Sequence, residues 1–589
     1  MTTDTLQQIL AGGEFLFKEQ QPEALFFPEQ FSEEQEQIFN LCREFIQQEV
    51  VPVLDRLDKQ EEGLMESLLD KAGELGLLGA ALPEKYGGMG LDVVSSMLIQ
   101  EGLGDGHAFA TAFAAHSGIG MYPIQYFGTE EQRKAYLPGM ADGSIKPCYN
   151  LTEPNAGSDA MSGKTRADMS RDGNSYVLNG QKCWITNSGF ADLFVVFAKM
   201  GGEQMTCFLV PKDTDGLTLG PEEHKMGIKG SSTRQVYYNQ VKVPKENVVG
   251  DIGRGHKIAF NALNIGRIKL GAAALGAAKR ALKLSIDYAN QREQFRTRLR
   301  KFGAIQYKLS EMAIRSYALE SALYRTAQDI ERKEKALLAM GKTESEALLG
   351  AAEEYAAECA LLKTYGAEVQ DYCVDEGVQI HGGNGFSAEY PIERCYRDSR
   401  ITRIYEGTNE INRLFAISLM FKRAATGHIC MSDPWKKVAG ETIEPLGSGA
   451  GASEIVSRLK KATLLIMQTV RKASGDKLRR RQQLSMNMAD MLLEVFLAEA
   501  AVQRSEKAFE SRNSYADLFQ AASEVFVADV ASRMAKYGRD ALTSCPEMKD
   551  IEANLHKLQL LTAVPYWNLA DRRIMISEAL CEKEGYIFR

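Results

Sequence analysis

The residue period along this chain changes twice, and the order of those changes restricts the fold more than any single motif. From Ser32 apolar residues recur at helical spacing, with Ile38, Leu41, Phe45 and Ile46 on one face and Ser32 and Gln35 placed as a capping box. Loops at Gly87-Gly88-Met89-Gly90 and Gly128-Thr129-Glu130-Glu131 punctuate this helical region, the second leading into a helix with an acidic start. Further on the period shortens. Tyr176 to Thr186 predicts two strands about an Asn179-Gly180 turn, and the runs from Phe194, Thr206 and Gln235 continue the strands as an antiparallel sandwich or barrel. From His256 long helices return, for example over 271–290, 306–333 and 345–378. Because strands and helices are not interleaved, a βαβ sheet is excluded, and with it the dinucleotide fold built on parallel strands. No Gly-x-Gly-x-x-Gly joins a strand to a helix and no phosphate loop ends in Gly-Lys-Ser/Thr, so any nucleotide must be held another way.

The 589 residues are long enough for three or four folding units at about 100–200 residues each. The fold class expected is mainly α with a middle β domain: an extension over 1–30, a helical domain over 31–145, a β domain over 146–250, helices over 251–425, a linker over 426–452 containing Asp433-Pro434 and Gly447 to Ala452, and an additional helical domain over 453–589. The extension carries only Phe15, Leu16 and Phe17 as an apolar stretch and reads as packed on a neighbour or partly loose. Seventy basic against 78 acidic residues, net −8, disfavours a whole-chain grip on nucleic acid. No apolar run approaches the ~20 residues of a bilayer span, and the first residues lack a basic leader, so a cytoplasmic location is expected. Ten scattered cysteines without a Cys-x-x-Cys pair suit reduced thiols rather than zinc ligands, and no metal site is expected.

Three constellations could carry chemistry. Tyr149 to Asp159 is rich in small and hydroxyl residues that let backbone amides approach a flat ring or an acyl carbonyl; the simpler reading is a turn. Trp184-Ile185-Thr186-Asn187 could stack an indole on an aromatic cofactor, though a core Trp is commoner. Gln379 to Phe386 holds a Gly-Gly-x-Gly between helices, followed by Tyr405-Glu406-Gly407-Thr408-Asn409-Glu410. Glu406 there could be a partly desolvated base; by these rules alone an acidic loop residue, solvated or paired with Arg403, is the simpler reading.

In order and at matching spacing, Leu151 to Asp159, Trp184 to Asn187, Arg292-Glu-Gln-Phe295, Gln379 to Phe386 and Tyr405 to Glu410 resemble the signatures of the acyl-CoA dehydrogenases, over about residues 31 to 425. The resemblance implies an N-terminal helical domain, a middle β domain and a C-terminal four-helix bundle, with FAD between them and across a subunit interface of a homodimer or homotetramer. It implies that Tyr149, Leu151, Thr152, Gly157, Ser158, Trp184, Ile185 and Thr186 cradle the flavin together with Thr408 and Glu410. Arg292, Gln379, Gly382 and Gly383 match positions reaching the neighbouring subunit's FAD. Ser158, Asn264, Arg267, Tyr405 and Gly407 match substrate-side positions. Glu406 matches the catalytic base; the position that carries the base in some relatives is Gly266 here. The implied reaction is α,β-dehydrogenation of a fatty acyl-CoA to the trans-2-enoyl-CoA in fatty acid β-oxidation. Glu406 takes the α proton as hydride leaves the β carbon for flavin N5, and electrons pass on to electron-transferring flavoprotein. Asn155 and His381 fall at variable places in the motifs, and Phe302-Gly303 stands where shorter-chain relatives have a Gln near FAD.

The stretch Thr111 to His116, mostly small, matches the helix that closes the acyl pocket in medium-chain relatives and so predicts a long-chain substrate; plain helix packing is the alternative. Very-long-chain members also carry an additional helical domain that goes with a dimer and peripheral membrane contact. Here Arg458 to Arg481 holds nine Lys or Arg and one acid, Asp476, among Val456, Leu459, Leu464, Ile466 and Val470. Such a helix can lie on anionic lipid, although a solvated charged face is the commoner reading. An acyl-CoA oxidase, marked by peroxide release, and a DNA-associated flavoprotein of the same core are the alternatives; the negative net charge and the retained Glu406 argue against the second.

Overall fold

The computed structural model describes residues 9–20 and 24–588. The first helix of the N-terminal region, Glu33–Phe45, begins at the expected box: Gln35 N–H donates to Ser32 Oγ at 3.2 Å and Ser32 N–H to Gln35 Oε1 at 3.1 Å. Helices Leu64–Glu74, Val93–Gly102, His107–Ala114 and Tyr122–Phe127 follow, and Thr129 caps Glu130–Asp142 in the same manner. The described part of 1–30 packs on its own chain. Phe15 packs on Phe496 with ring centroids 4.7 Å apart and the rings tilted, and the backbone N–H groups of Gly12 and Gly13 donate to the Glu354 and Glu358 carboxylates at 3.0 and 2.6 Å.

The middle region forms eight strands: β1 (Pro147–Asn150), β2 (Arg166–Met169), β3 (Ser175–Thr186), β4 (Leu193–Met200), β5 (Gln204–Pro211), β6 (Leu217–Glu222), β7 (Thr233–Pro244) and β8 (Val248–Val249). Their order is β6-β7-β3-β2-β4-β5-β8, with β1 beside β4. Pairing is antiparallel except that β1 and β2 run parallel to β4. Alternation along β4 divides the cores: Phe194 and Val196 face the sheet's own interior with Tyr176, Phe208 and Val236, while Leu193, Val195 and Phe197 face Ile124, Leu137 and Met140 of the N-terminal helices.

One expectation fails here. Asn179-Gly180 does not turn the chain: β3 runs straight through it, and the register with β7 slips by a bulge between Leu178 and Gly180. Asn179 Oδ1 is used across the strands, accepting from Gln240 N–H at 2.9 Å. A Cβ at Gly180 would lie 2.5 Å from Thr165 Oγ1, so the glycine permits close strand approach rather than a reversal.

Two 37-residue helices, Gly255–Gln291 and Gly303–Ala339, with Ala356–His381 and Asn409–Ala425, make the bundle. Helices Ala452–Ser474, Gln482–Glu510, Ala516–Thr543 and Leu569–Glu582 continue the same hydrophobic core instead of forming a separate one: Tyr317 of the bundle packs on Phe519 and Phe588, and its hydroxyl donates to the Ala501 carbonyl at 2.7 Å. Inside the expected linker a short helix, Ser432–Gly440, sits against this core through Val438. Val456, Leu459, Leu464, Ile466 and Val470 are all buried, so the basic helix has no apolar face left for lipid. Several of its charges are engaged within the protein, Lys461 with Glu441, Lys477 and Arg481 with Glu547, and Arg471 over Trp435, while Lys472, Arg479 and Arg480 are exposed. No helix among the described residues is long and apolar enough to cross a membrane.

Candidate active site

Glu406 sits in the turn between the 3₁₀ segment Arg400–Arg403 and the Asn409–Ala425 helix, with φ of +56°, and Gly407 follows at +80°. A left-handed Glu costs of order 1 kcal/mol or more and persists only where its surroundings hold it. Lys363 does so from the Ala356–His381 helix, donating to Gly407 O at 2.7 Å and Asn409 Oδ1 at 2.9 Å. Asn412 Nδ2 donates to Gly407 O at 2.8 Å, and Thr408 Oγ1 accepts from Ile411 N–H at 3.2 Å. Upstream, Asp398 accepts from His107 at 2.9 Å and from the Ile228 backbone N–H, which ties this turn to both the N-terminal helices and the β region.

The carboxylate faces the Gly255–Gln291 helix. A Cβ at Gly266 would lie 2.9 Å from Glu406 Oε2, so the absence of a side chain there is what admits the carboxylate. Oε2 is buried and accepts no hydrogen bond, and among the described residues the Glu406 backbone N–H has no acceptor. Burial pushes the Glu406 carboxyl up to about 7 against the opposing pull of Arg267 and Lys363. Arg267 is itself held: Nη1 donates to Asn264 Oδ1 at 2.9 Å and its guanidinium lies 4.8 Å from the Phe415 ring. Arg403 pairs with Asp371 at 3.1 Å, which removes the simple ion-pair reading of Glu406.

Next to Glu406 in the chain, Tyr405 lines a cavity of about 70 Å³ together with Leu270, Ala273, Ala274 and Ala277, the stripe that continues from Gly266 along its helix, and with Ala110 and Thr111 of the His107–Ala114 helix. A different cavity of about 100 Å³ opens at another face of the same helix, at Asn264, Ile265, Ile268 and Lys269, and includes Asp92 and Glu334 in its wall. Of residues 111–116, Thr111 lines the cavity beside Tyr405, while Ala112, Phe113, Ala115 and His116 are buried in helix contacts and His116 bonds the Met140 carbonyl at 2.7 Å.

The remaining site residues fall into two groups. Near Glu406, segment 149–153 is laced to β3: Cys183 N–H donates to Thr152 O at 3.0 Å, and Lys182, ion-paired with Glu153 at 2.8 Å, donates to Leu151 O at 2.9 Å. This sets Tyr149, Leu151 and Thr152 beside Trp184 and Thr186. Tyr149 Oη is buried without a partner, and the acid of its tyrosine is weakened first by burial and then by Glu406. The Trp184 indole is 59% exposed at φ of +59°, and Gly157 and Ser158 lie exposed on the adjoining loop. Ile185 points the other way, into the sheet interior, so only its backbone can serve this surface. Tyr405, next to Glu406 in the chain, faces the cavity of about 70 Å³ that Thr111 and Gln370 also line. Glu410 is exposed.

The second group lies at the far end of the long helix. Arg292 is 26 residues beyond Gly266, about 39 Å along the axis at 1.5 Å per residue. Gln379, Gly382 and Gly383, all exposed, adjoin it there, where His381 stacks on Tyr288 at 4.2 Å and Asn384 donates to the Tyr288 hydroxyl at 3.0 Å. One chain therefore does not bring the two groups together. Sequence reasoning missed Lys363, Asn412 and Tyr122. Lys363, a lone cation in the run Cys359-Ala-Leu-Leu-Lys363-Thr on a buried helix, carried a readable signal; the other two did not.

Comparison with known proteins agrees with this geometry. Family models described as the acyl-CoA dehydrogenase N-terminal, middle and C-terminal domains match residues 32–144, 148–241 and 253–418, and a further acyl-CoA dehydrogenase C-terminal domain model matches 458–559. A probable acyl-CoA dehydrogenase of Bacillus subtilis is 42% identical over 582 residues, 98% of each chain. The very long-chain specific mitochondrial acyl-CoA dehydrogenase of Rattus norvegicus is 38% identical over 371 residues, 61% of this chain and 53% of that one. The crystal structure of an acyl-CoA dehydrogenase complexed with FAD from Bacillus anthracis superposes with a TM-score of 0.95 at 42% identity, covering 98% of this chain and 100% of that one. A fold of helices, sheet and bundle, a strained and desolvated carboxylate set against a helix glycine, and relatives of one kind lead to the same place: the chain belongs to the acyl-CoA dehydrogenase family of FAD-dependent oxidoreductases.

Proposed function

We propose that this protein oxidises a fatty acyl-CoA thioester across Cα–Cβ, with Glu406 as the base that removes the α proton. The observation that carries the reading is Glu406 Oε2: buried, without a hydrogen bond, set against Gly266, on a carboxyl poised near neutrality. The acyl tail lies in the cavity lined by Tyr405, Leu270, Ala273, Ala274 and Thr111, next to Glu406 in the chain and to Gly266 on the helix, which sets Cα at the carboxylate. As the proton leaves, charge develops on the thioester oxygen, and the free N–H of Glu406 is the donor for it. Arg267 and Lys363 favour the ionised base, and Lys363 with Asn412 fixes the turn against recoil. Positioned proton abstraction contributes about 10²- to 10⁴-fold, so oxyanion stabilisation and alignment supply the rest.

The exposed Trp184 indole, the unpartnered Tyr149 hydroxyl and the open loop at Gly157 fit a flavin ring lying against β3. Tyr149, Leu151, Thr152, Gly157, Ser158, Trp184, the Ile185 backbone, Thr186, Thr408 and Glu410 would hold FAD, with Ser158 also meeting the CoA portion. When bound, FAD supplies the two-electron acceptor for the β hydrogen. Arg292, Gln379, Gly382 and Gly383 would meet the FAD of a second copy, because 39 Å is too far for one dinucleotide to span from Glu406 within the chain. The outward Phe295 and Phe386, 89% and 88% exposed at that end, suit burial in a homodimer or homotetramer. Long acyl chains are the preferred substrates on the strength of the small residues Ala110, Thr111, Ala273, Ala274 and Ala277 in the cavity wall beside Tyr405 and of the additional helical domain, and electron-transferring flavoprotein is the acceptor. A rate series peaking at four to eight carbons refutes the length preference.

The deciding experiment is anaerobic titration of E406Q with acyl-CoA. The variant is expected to keep its yellow FAD spectrum and lose bleaching by substrate; bleaching at the wild-type rate removes Glu406 from the role.

A further inference from the structure

A chain of polar side chains joins the turn that carries Glu406 to the helices beyond residue 452. Arg413, one residue past Asn412 on the Asn409–Ala425 helix, donates through Nε to Asp490 Oδ1 of the Gln482–Glu510 helix at 2.6 Å. Among the described residues Asp490 bonds nothing else. The two remaining nitrogens of Arg413 grip Glu368 of the Ala356–His381 helix as a fork, Nη1 to Oε1 at 2.7 Å and Nη2 to Oε2 at 3.0 Å. Glu368 Oε1 also accepts from Asn409 Nδ2 at 3.1 Å, and the oxygen of that same amide accepts from Lys363 at 2.9 Å. Lys363 in turn holds the Gly407 carbonyl at 2.7 Å, one residue from the base. Charge alternates along the route, from Asp490 to Arg413, Glu368 and Lys363, with the Asn409 amide between the last two.

Each member orients the next. Turned over, the Asn409 amide would set its NH₂ against the Lys363 ammonium and its oxygen against the Glu368 carboxylate, so Glu368 decides which way it points. Glu368 is aimed by the planar fork of Arg413, and the fork is aimed by Asp490. At the other end stands backbone at φ of +56° and +80°, a conformation that persists only while its surroundings hold it. Proton abstraction is sensitive to small displacements of the base, so the hold on this turn bears directly on rate. Resting on the reading of Glu406 as that base, we infer that Asp490 is a positioning residue for the reaction: from the additional helical domain it fixes the turn at Glu406 through Arg413, Glu368, Asn409 and Lys363. The domain thereby takes part in the chemistry at Cα–Cβ, although none of its described residues lines the cavity beside Tyr405.

The test reads the limiting rate and the half-saturating concentration of anaerobic flavin bleaching by palmitoyl-CoA in the holoenzyme. D490N keeps the size of the side chain and loses its charge; it is expected to keep its FAD and its half-saturation and to lower the limiting rate about 5-fold, the scale of a shift of a few tenths of an ångström in the base. D490E, which restores the carboxylate, is expected to recover part of that rate. E494Q is the control: Glu494 lies one turn further along the same helix and pairs with Arg533 at 2.6 Å within the additional helices, so its loss should lower stability without slowing bleaching. In K363M, where the route is already cut, D490N should slow bleaching by a smaller factor than in the wild type. An unchanged limiting rate in D490N, equal slowing in E494Q, or the full factor in K363M overturns the inference while leaving Glu406 as the base. If D490N loses its flavin, D490E against E494Q decides: slowing in D490E alone supports the inference, and no slowing overturns it. Failure of the wild type to bleach with any thioester overturns the assignment of Glu406 and this inference together.

Discussion

Gly266 offers the sharpest test of the site, because stability and activity are expected to move in opposite directions. An alanine Cβ there would stand 2.9 Å from Glu406 Oε2, 3.2 Å from Cδ and 3.4 Å from Oε1. The carboxylate must withdraw by roughly half an ångström to restore ordinary contact. Misplacing reacting groups by ~1 Å costs about 10²-fold, so half that displacement costs about 10-fold in kcat/KM, equivalent to about 1.4 kcal/mol. The position is mid-helix in Gly255–Gln291, where replacing Gly by Ala gains about 0.5–1 kcal/mol of helix stability. G266A should therefore melt no lower than the wild type and bind FAD equally, yet be bleached about 10-fold more slowly by a saturating acyl-CoA. Stopped-flow bleaching and thermal unfolding on the same samples read both quantities. Wild-type bleaching in a folded, yellow G266A shows that the Glu406 carboxylate does not work from the place the structure puts it.

Two further outcomes follow from the electrostatics. With the Glu406 carboxyl raised to about 7, the basic form grows as pH rises, so the bleaching rate of the free enzyme should climb through pH 7 and level off above it. Lys363 pulls that ionisation down, so K363M should move the rising limb to higher pH and slow the reaction severalfold at pH 7; a limb that stays in place removes Lys363 from the role. The Lys182–Glu153 pair at 2.8 Å is buried on both sides, and removing one partner of such a pair costs about 3–5 kcal/mol, so K182M should unfold at markedly lower urea concentration; a loss under about 1 kcal/mol contradicts it.

Features set by short stretches of chain were legible in the sequence. Ser32 with Gln35, Thr129 with its acidic turn, and the strands at Phe194 and Thr206 depend on neighbours in sequence and stand where local chemistry puts them. Features set by distant partners were not. Asn179-Gly180 has the composition of a hairpin turn, but β3 is held on both sides, by β2 and β7, and the pairing of both neighbours outweighs a two-residue preference. The apolar stripe of Ala452–Ser474 is amphipathic in isolation; its partners, Leu492 and Phe496 among them, lie on another helix. The site divides the same way. Glu406 stood out only because five ordered motifs resembled a family, whereas its strain, its contact with Gly266 and the cavity wall at Tyr405 require segments brought together from distant parts of the chain.

The bundle that carries Glu406 and the helices beyond residue 452 share one apolar interior, and that has a bearing on synthesis. Phe588 is fully enclosed, its carbonyl taken by Arg504, whose guanidinium in turn grips Glu320 of the Gly303–Ala339 helix at 2.8 Å and Glu29 near the start of the chain at 2.7 Å. On a ribosome, the bundle face beneath these helices stays uncovered until residues 452–588 have been made, and that apolar surface would need shelter meanwhile.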